Sequence, residues 1–210
     1  DILVSSPLNH PASNGLGLFT PVGRADINAA FNRGAASIGI FTDSGLGGTG
    51  RLTAGEVVLF SGSGGIDYNG EIIASNLRFQ ATGNVVLQNA GNNIGTLGSS
   101  TGGTGFGGII LVDGVGDLTI SDPVTTTGAF LSLKTPGNLI INAGGSLTSS
   151  FLVQLDISSG NLINQNPSAA AISNRYVVYE RDPFGAHAKG GLTAPDFGTV
   201  VKIGDANNDP

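Results

Sequence analysis

The chain has 210 residues, 35 of them glycine, with a net charge of −6 and no cysteine. Without cysteine it has neither a disulfide framework nor a thiolate metal site. The acidic balance argues against nucleic acid and anionic lipid as partners, because phosphate binding needs clustered Lys and Arg. Hydrophobic residues make up 40% of the chain, unlike a disordered segment. They occur in short runs, so we expect no membrane insertion.

Residues 1–30 contain Pro7, Pro11 and Pro21. Proline lacks a backbone N–H and restricts the residue before it to extended conformations. This segment is therefore predicted to be an extended N-terminal lead-in to the folded repeats.

Residues 31–166 carry a repeated pattern. The segment GEVVLFS at 55–61 aligns with GNVVLQN at 83–89, an offset of 28. A Gly, then an acidic or amide residue, then an apolar cluster recurs as GDLTI at 116, GNLII at 137 and GNLIN at 160. We interpret each occurrence as one coil of a repeat, with loops of unequal length between coils.

Short apolar runs bounded by Gly, Asn and Asp predict β-strands, for example at Ile109–Val112, Leu118–Ile120 and Leu139–Ile141. The turns between them are too short for helical crossovers. The strands must therefore either meander antiparallel or coil in parallel. The repeat favours an all-β, right-handed parallel β-solenoid (β-helix) with irregular rungs. An antiparallel sandwich or barrel stays as the alternative.

The repeat ends near Pro167, where aromatic and charged residues become more frequent. A solenoid exposes unpaired strand edges at its ends unless another segment covers them. Residues 167–210 are therefore predicted to form a non-repeat C-terminal cap.

Two segments carry a family resemblance. Residues 83–150, which run from GNVVLQNAGNN to GGSLTSS, resemble the β-strand repeats of filamentous-haemagglutinin-like exoproteins. The tail NRYVVYERDPFGAHAKGGL at 174–192 looks like the segment that often follows those repeats. The resemblance implies a β-helical adhesin, exported through an outer-membrane partner and located outside the cell or at its surface.

The one acidic cluster of the repeat region is formed by Asp113, Asp117 and Asp122, each beside Gly or Pro and without a basic residue nearby in sequence. Aspartate beside such residues is typical of turns. We interpret all three as turn residues, with cation binding or catalysis as lesser alternatives. His10 and His187 lie in opposite tails, and neither indicates a triad. No catalytic residue is predicted.

Two further groups are candidates for sites. Tyr176, Tyr179, Arg181 and Phe184 could form a patch that binds sugar or protein, or could cap the apolar core. Asp205, Asn207 and Asp209 have the alternating oxygen ligands that open a calcium loop, although the glycine expected next is Pro210. Calcium is the one cofactor considered, and a polar terminus is the alternative.

These features predict a non-catalytic structural and adhesive module of a secreted bacterial surface protein. Its partners would be a glycan or protein on a target surface. The alternative is a subunit that joins copies of itself end to end as an extracellular fibre or sheath. A β-helical enzyme acting on polysaccharide is less favoured, because the one acidic cluster has no basic partner nearby in sequence.

Overall fold

A computed structural model describes residues 1–9, 14–98, 103–105, 107–127, 130–157, 159–168, 171–172 and 175–181. Across these ranges the regular secondary structure is entirely β-strand, so no described segment is a helix that could cross a membrane. In chain order, strands β1 to β22 of the described ranges are Ile2–Val4, Leu8–Asn9, Leu16–Thr20, Arg24–Ile27, Phe31–Asn32, Ser37–Thr42, Gly45–Gly48, Leu52–Ser61, Ile66–Tyr68, Ile72–Ala81, Val85–Leu87, Asn93–Leu97, Gly103–Gly105, Ile109–Val112, Leu118–Ile120, Pro123–Thr126, Leu131–Lys134, Leu139–Ile141, Ser146–Ser149, Val153–Ile157, Leu162–Asn164 and Tyr176–Glu180.

All pairings among the described strands are parallel. Within those residues they form a nine-stranded and a thirteen-stranded sheet. The chain passes repeatedly between the two sheets, so strands that pair with each other come from successive coils. The long strand β8 pairs with β5 at one end and with β6 further along, so it joins two rows of the larger sheet. The predicted all-β parallel solenoid is confirmed, and its right-handed sense stays a prediction.

The length of one coil differs from the 28-residue offset. Leu77 of β10 pairs with Val57 of β8, 20 positions away, and Val85 of β11 pairs with Ile66 of β9, 19 positions away. The two similar segments at 55–61 and 83–89 thus lie in different sheets, and the 28-residue coil was wrong. A motif of glycine, polar residue and alternating apolar residues suits a strand on any face of the coil.

The spacing between the later motifs is the true coil length. Leu118 pairs with Leu139, and Leu139 pairs with Leu162. These three side chains are buried and form a column through the core. Burying a leucine contributes about 1.5–3 kcal/mol, and parallel stacking repeats that gain at every coil. The buried apolar side chains therefore form one continuous core along the stack.

The polar residue of the Gly-Asx motif forms a hydrogen-bonded corner ladder, defined here as Asp117, Asn138 and Asn161. The Asn138 N–H donates to Asp117 Oδ1 at 2.7 Å, and the Asn161 N–H donates to Asn138 Oδ1 at 3.0 Å. The side chains of Asp117 and Asn138 thus each satisfy a backbone donor of the next coil, which would otherwise lose a partner at the turn.

The preceding glycine of the motif is required by close approach. A Cβ at Gly137 would lie 2.2 Å from the carbonyl oxygen of Gly116, and one at Gly160 would lie 2.0 Å from that of Gly137. Only Gly116 of the three has a positive φ, of 80°. Successive corners are stacked too tightly for a side chain, so glycine is selected here by space more than by conformational freedom.

The N-terminal boundary differs from the prediction. Strand β1 pairs with β4, with Ile2 opposite Ala25, and β3 pairs with β6 along its whole length. Residues 1–9 and 14–30 therefore belong to the first two coils of the stack and are not a lead-in. Pro7 and Pro21 lie between strands, where no ladder hydrogen bond is lost.

The stack also continues past the predicted C-terminal boundary at residue 166. Strand β22 pairs with β20, and Ile172 forms a parallel bridge with Leu147. Residues 171–172 and 175–181 thus belong to the solenoid. The predicted start of the cap at residue 167 is therefore too early. Residues 182–210 lie outside the described ranges, and their capping role stays a prediction.

Candidate binding groove

Of the residues predicted as a candidate surface patch, the structure describes Tyr176, Tyr179 and Arg181, and these three do not share one outward face. Tyr176 and Tyr179 lie on opposite faces of β22, because their spacing of three reverses direction in a strand. Tyr176 is only 6% exposed and packs in the core, as its alternative interpretation expected. Tyr179 is half-buried on the outer face and Arg181 is exposed, while Phe184 lies outside the described residues.

The predicted calcium ligands Asp205, Asn207 and Asp209 also lie outside the described residues, as do His10 and His187. Within the described ranges, no group of three His, Cys, Asp or Glu side chains is placed to hold a metal ion. Calcium binding by the C-terminal residues stays a prediction.

The three aspartates of the acidic cluster have separate local roles. Asp113 is buried, and its carboxylate accepts the Ile94 N–H at 2.9 Å and the Thr135 hydroxyl at 3.3 Å. Desolvation by burial raises the pKa of the Asp113 carboxyl to about 6, although these hydrogen bonds act in the opposite direction. Asp117 belongs to the corner ladder, and Asp122 accepts the Ser121 hydroxyl at 3.2 Å. These contacts fit the interpretation of all three as turn residues.

The feature that the sequence interpretation missed is an aromatic ladder on the outer face, formed by Phe19, Phe41 and Phe60. Phe19 pairs in register with Phe41, and Phe41 pairs with Phe60. Their ring centroids are 6.5 Å and 6.3 Å apart, with the planes tilted by 47° and 35°. Phe19 is 70% exposed and the other two are half-buried. Three rings thus follow one another along the stack and face outward.

The aromatic ladder forms one wall of a surface groove with a volume of about 450 Å³, which we call the aromatic groove. Polar groups at its rim come from Asp43, Arg78 and Gln80, and Val58 contributes apolar surface. Gln80 pairs in register with Phe60 and so occupies the ladder position in the next coil. The volume lies in the range of ligand-binding clefts, which combine apolar walls with a few polar groups.

A signal for this ladder exists in the sequence. The tripeptides LFT at 18–20, IFT at 40–42 and LFS at 59–61 repeat an inward aliphatic residue, an outward phenylalanine and an inward hydroxyl. Their offsets of 22 and 19 are those of the strand pairing. The 28-residue alignment hid them because it paired GEVVLFS with GNVVLQN, in which Gln88 replaces the phenylalanine.

Comparison with known proteins gives no match to a family model, to a curated protein or to a solved structure. The likeness to filamentous-haemagglutinin-like repeats therefore stays a prediction made from the sequence.

Proposed function

We propose that the chain is a non-catalytic adhesive module, a β-solenoid rod that presents side-chain surfaces to a glycan or protein on a target surface. The observation that carries the proposal is the aromatic groove. Exposed aromatic rings are depleted on surfaces that only meet water and are enriched where proteins bind partners. The family resemblance of residues 83–150 supports a secreted, surface-attached bacterial protein as the setting.

The rod itself supports a role in contact. Each coil adds strands to both sheets and extends the molecule along the stacking axis. Salt bridges cross neighbouring coils on the outside, with Lys134 Nζ 2.8 Å from Asp156 Oδ2 and Arg78 Nε 3.1 Å from Glu56 Oε1. A surface held by paired coils is preorganised, which lowers the entropy lost on binding.

Binding of the purified chain to an array of glycans and extracellular proteins tests the proposal. We expect selective binding to a small group of targets. A complete lack of binding, from a chain whose circular dichroism shows folded β-structure, would reject adhesion and leave the solenoid unaffected.

End-to-end assembly is a second candidate function, favoured by the exposed apolar side chains of the first coil. Leu3 is 68% exposed and Val22 is 79% exposed, and β1, β2 and β3 each pair on one side only among the described strands. Unpaired strand edges accept further strands. Electron microscopy over a range of protein concentrations tests this function: filaments support it, and separate short rods at every concentration reject it.

The enzyme alternative has less support from the acids of the repeat region. Asp113 is enclosed by the coil, and Asp117 is engaged with the backbone of its neighbour. A general acid or base must reach a substrate proton. An assay of polysaccharide depolymerisation by the purified chain, with and without calcium, tests this alternative. Release of shorter saccharides would support it.

A further inference from the structure

We infer that the aromatic groove binds a linear, uncharged polysaccharide whose sugar rings stack on Phe19, Phe41 and Phe60. The inference rests on the proposed adhesive function and names the ligand class for it. Four features support it: the direction of the ladder, the space beside it, the charges of the groove and the hydrogen bonds of the neighbouring backbone.

The direction of the ladder fits a polymer. Because Phe19, Phe41 and Phe60 are register partners on three successive coils, the row of rings runs along the stacking axis. A pyranose ring has an apolar C–H face and a polar edge of hydroxyls, so it packs flat on an aromatic ring while its hydroxyls stay hydrated. A row with one ring in each coil suits a chain of sugars better than a compact ligand.

The space beside the rings is created by glycine. The next outward position on each strand is occupied, coil by coil, by Gly17, Gly39, Val58 and Arg78. A Cβ at Gly17 would have nothing within 4 Å, and one at Gly39 would lie 2.6 Å from the Phe41 ring. Gly17 thus leaves open space on the strand that carries Phe19, and Gly39 lets the Phe41 ring approach the backbone; both positions adjoin residues that line the groove.

The charges favour a neutral ligand. Arg78 and Asp43 are the charged residues of the described groove lining. The Arg78 guanidinium is paired with Glu56, and the Asp43 carboxylate accepts hydroxyl hydrogen bonds from Ser44 and Ser63. With a net charge of −6 on the chain, the groove lacks the excess positive charge that uronic or sulfated sugars require. Amide and carboxylate groups at its rim suit sugar hydroxyls.

The backbone pairing of these strands disfavours a peptide ligand that binds as an added strand. Strand β6 pairs with β3 on one side and β8 on the other, and β8 also pairs with β10. Their N–H and C=O groups are consumed by the stack, so a ligand over Phe41 and Phe60 binds through side chains alone. Strand addition needs a free sheet edge, whereas stacking of sugars needs exposed ring faces.

Isothermal titration calorimetry of the full chain with cellohexaose, laminarihexaose, mannohexaose and acidic hexagalacturonate tests the inference. We expect at least one of the neutral hexasaccharides to bind, and the acidic one to bind at least about tenfold more weakly. Phe41→Ala should weaken the neutral interaction at least about tenfold, the change that about 1.4 kcal/mol of lost stacking produces. Phe151→Ala, which removes a 62% exposed ring outside the groove lining, is the matched control and should leave the affinity unchanged.

Gly17→Thr supplies a second test that does not remove a ring. Its side chain enters open space on a strand, so we expect an unchanged or higher melting temperature together with at least about threefold weaker binding. If Phe41→Ala does not fold, Phe19→Ala replaces it, because that ring is mostly exposed. Binding of no neutral hexasaccharide, or equal loss in Phe41→Ala and Phe151→Ala, would overturn the inference. If the wild type and Phe41→Ala then bound the same array targets equally well, the proposed adhesive function would stand without this ligand. If the wild type bound no array target at all, both the adhesive function and the polysaccharide inference would be rejected.

Discussion

The aromatic ladder and the corner ladder are both produced by stacking like residues on like, but their side chains do opposite things. Phe19, Phe41 and Phe60 point away from the coil and contact one another and solvent. In the corner ladder, Asp117 and Asn138 direct their oxygens at the backbone of the following coil. Repetition in a solenoid therefore does not by itself indicate function; the bonding partners of the repeated side chain distinguish a surface feature from a structural one.

The energetics of the two ladders should differ in the same way. Removing a corner group leaves a backbone donor without its partner, which costs free energy of unfolding. Removing an outward ring exposes little that was buried. Stability measurements should thus respond mainly to the corner ladder, and binding measurements to the aromatic ladder.

The largest expected effect is at the corner glycine. Gly160→Ala places a methyl group 2.0 Å from the Gly137 carbonyl oxygen, and we expect a loss of about 3 kcal/mol or more in the free energy of unfolding. Urea denaturation measures it. Gly17→Ala, whose Cβ meets nothing within 4 Å, is the control and should be neutral or slightly stabilising. A similar loss in both variants would contradict the role of corner spacing.

A large effect is also expected from pH at Asp113. Because burial raises its pKa to about 6, above the ordinary value of 3.8, the folded chain keeps a proton that the unfolded chain releases between those values. The contribution of this carboxyl to the free energy of unfolding is therefore greatest below about pH 4 and falls by up to about 3 kcal/mol as pH rises through about 6.

Asp113→Asn tests that pH dependence. The amide keeps an oxygen for the Ile94 N–H, as Asn92 already does for the Ile72 N–H at 2.8 Å. We expect the variant to be more stable than wild type at pH 7.5 and to lose most of the slope between pH 4 and 6, as measured by urea denaturation at each pH. An unchanged slope would assign the pH dependence to other groups.

The corner ladder predicts a smaller effect at its exposed member. Asp117→Ala removes the acceptor for the Asn138 N–H and should cost about 1 kcal/mol, since water replaces part of the bond. Asp117→Asn retains a carbonyl oxygen at the same place and should cost less than half as much. Thermal unfolding of the two variants side by side checks the order, and equal losses would show that charge and not hydrogen bonding matters here.

The smallest expected change in stability is at the outer end of the aromatic ladder. Phe19→Ala removes a mostly exposed ring with one aromatic neighbour, so we expect a loss below about 1 kcal/mol. Phe41→Ala should cost more, because that ring is half-buried and has neighbours on both sides. If Phe19→Ala were the more destabilising variant, the ladder would be part of the stabilising core and not a surface feature.

Local patterns in the sequence predicted most of the strands. The apolar runs at Ile109–Val112, Leu118–Ile120 and Leu139–Ile141 are strands β14, β15 and β18, because alternation and bounding turn residues act over a few positions. The Gly-Asx motif predicted stacked corners, but its hydrogen bonds needed the structure. They join residues 21 and 23 positions apart, Asn138 to Asp117 and Asn161 to Asn138.

The candidate site was not predicted from the same patterns. A phenylalanine in a short apolar run is indistinguishable from a core residue until it is known which face of the strand its side chain is on. The sequence therefore did not predict that Phe19, Phe41 and Phe60 face outward. Tyr176 shows the same ambiguity, because the sequence left it between a surface patch and the apolar core, and the structure places it in the core. A shift of one residue along a strand exchanges the two faces, and sequence spacing alone did not settle that shift.

The amino-acid sequence by itself determined that this chain folds into short strands joined by tight turns, and its repetition favoured a parallel stack, because those properties follow from local alternation and turn chemistry. Only the tertiary structure decided which strands lie against each other, that residues 1–9 and 14–30 belong to the stack, and which aromatic rings face water. The physical reason is that register is set by the summed packing of every inward side chain around the coil, a quantity that no single repeated motif contains.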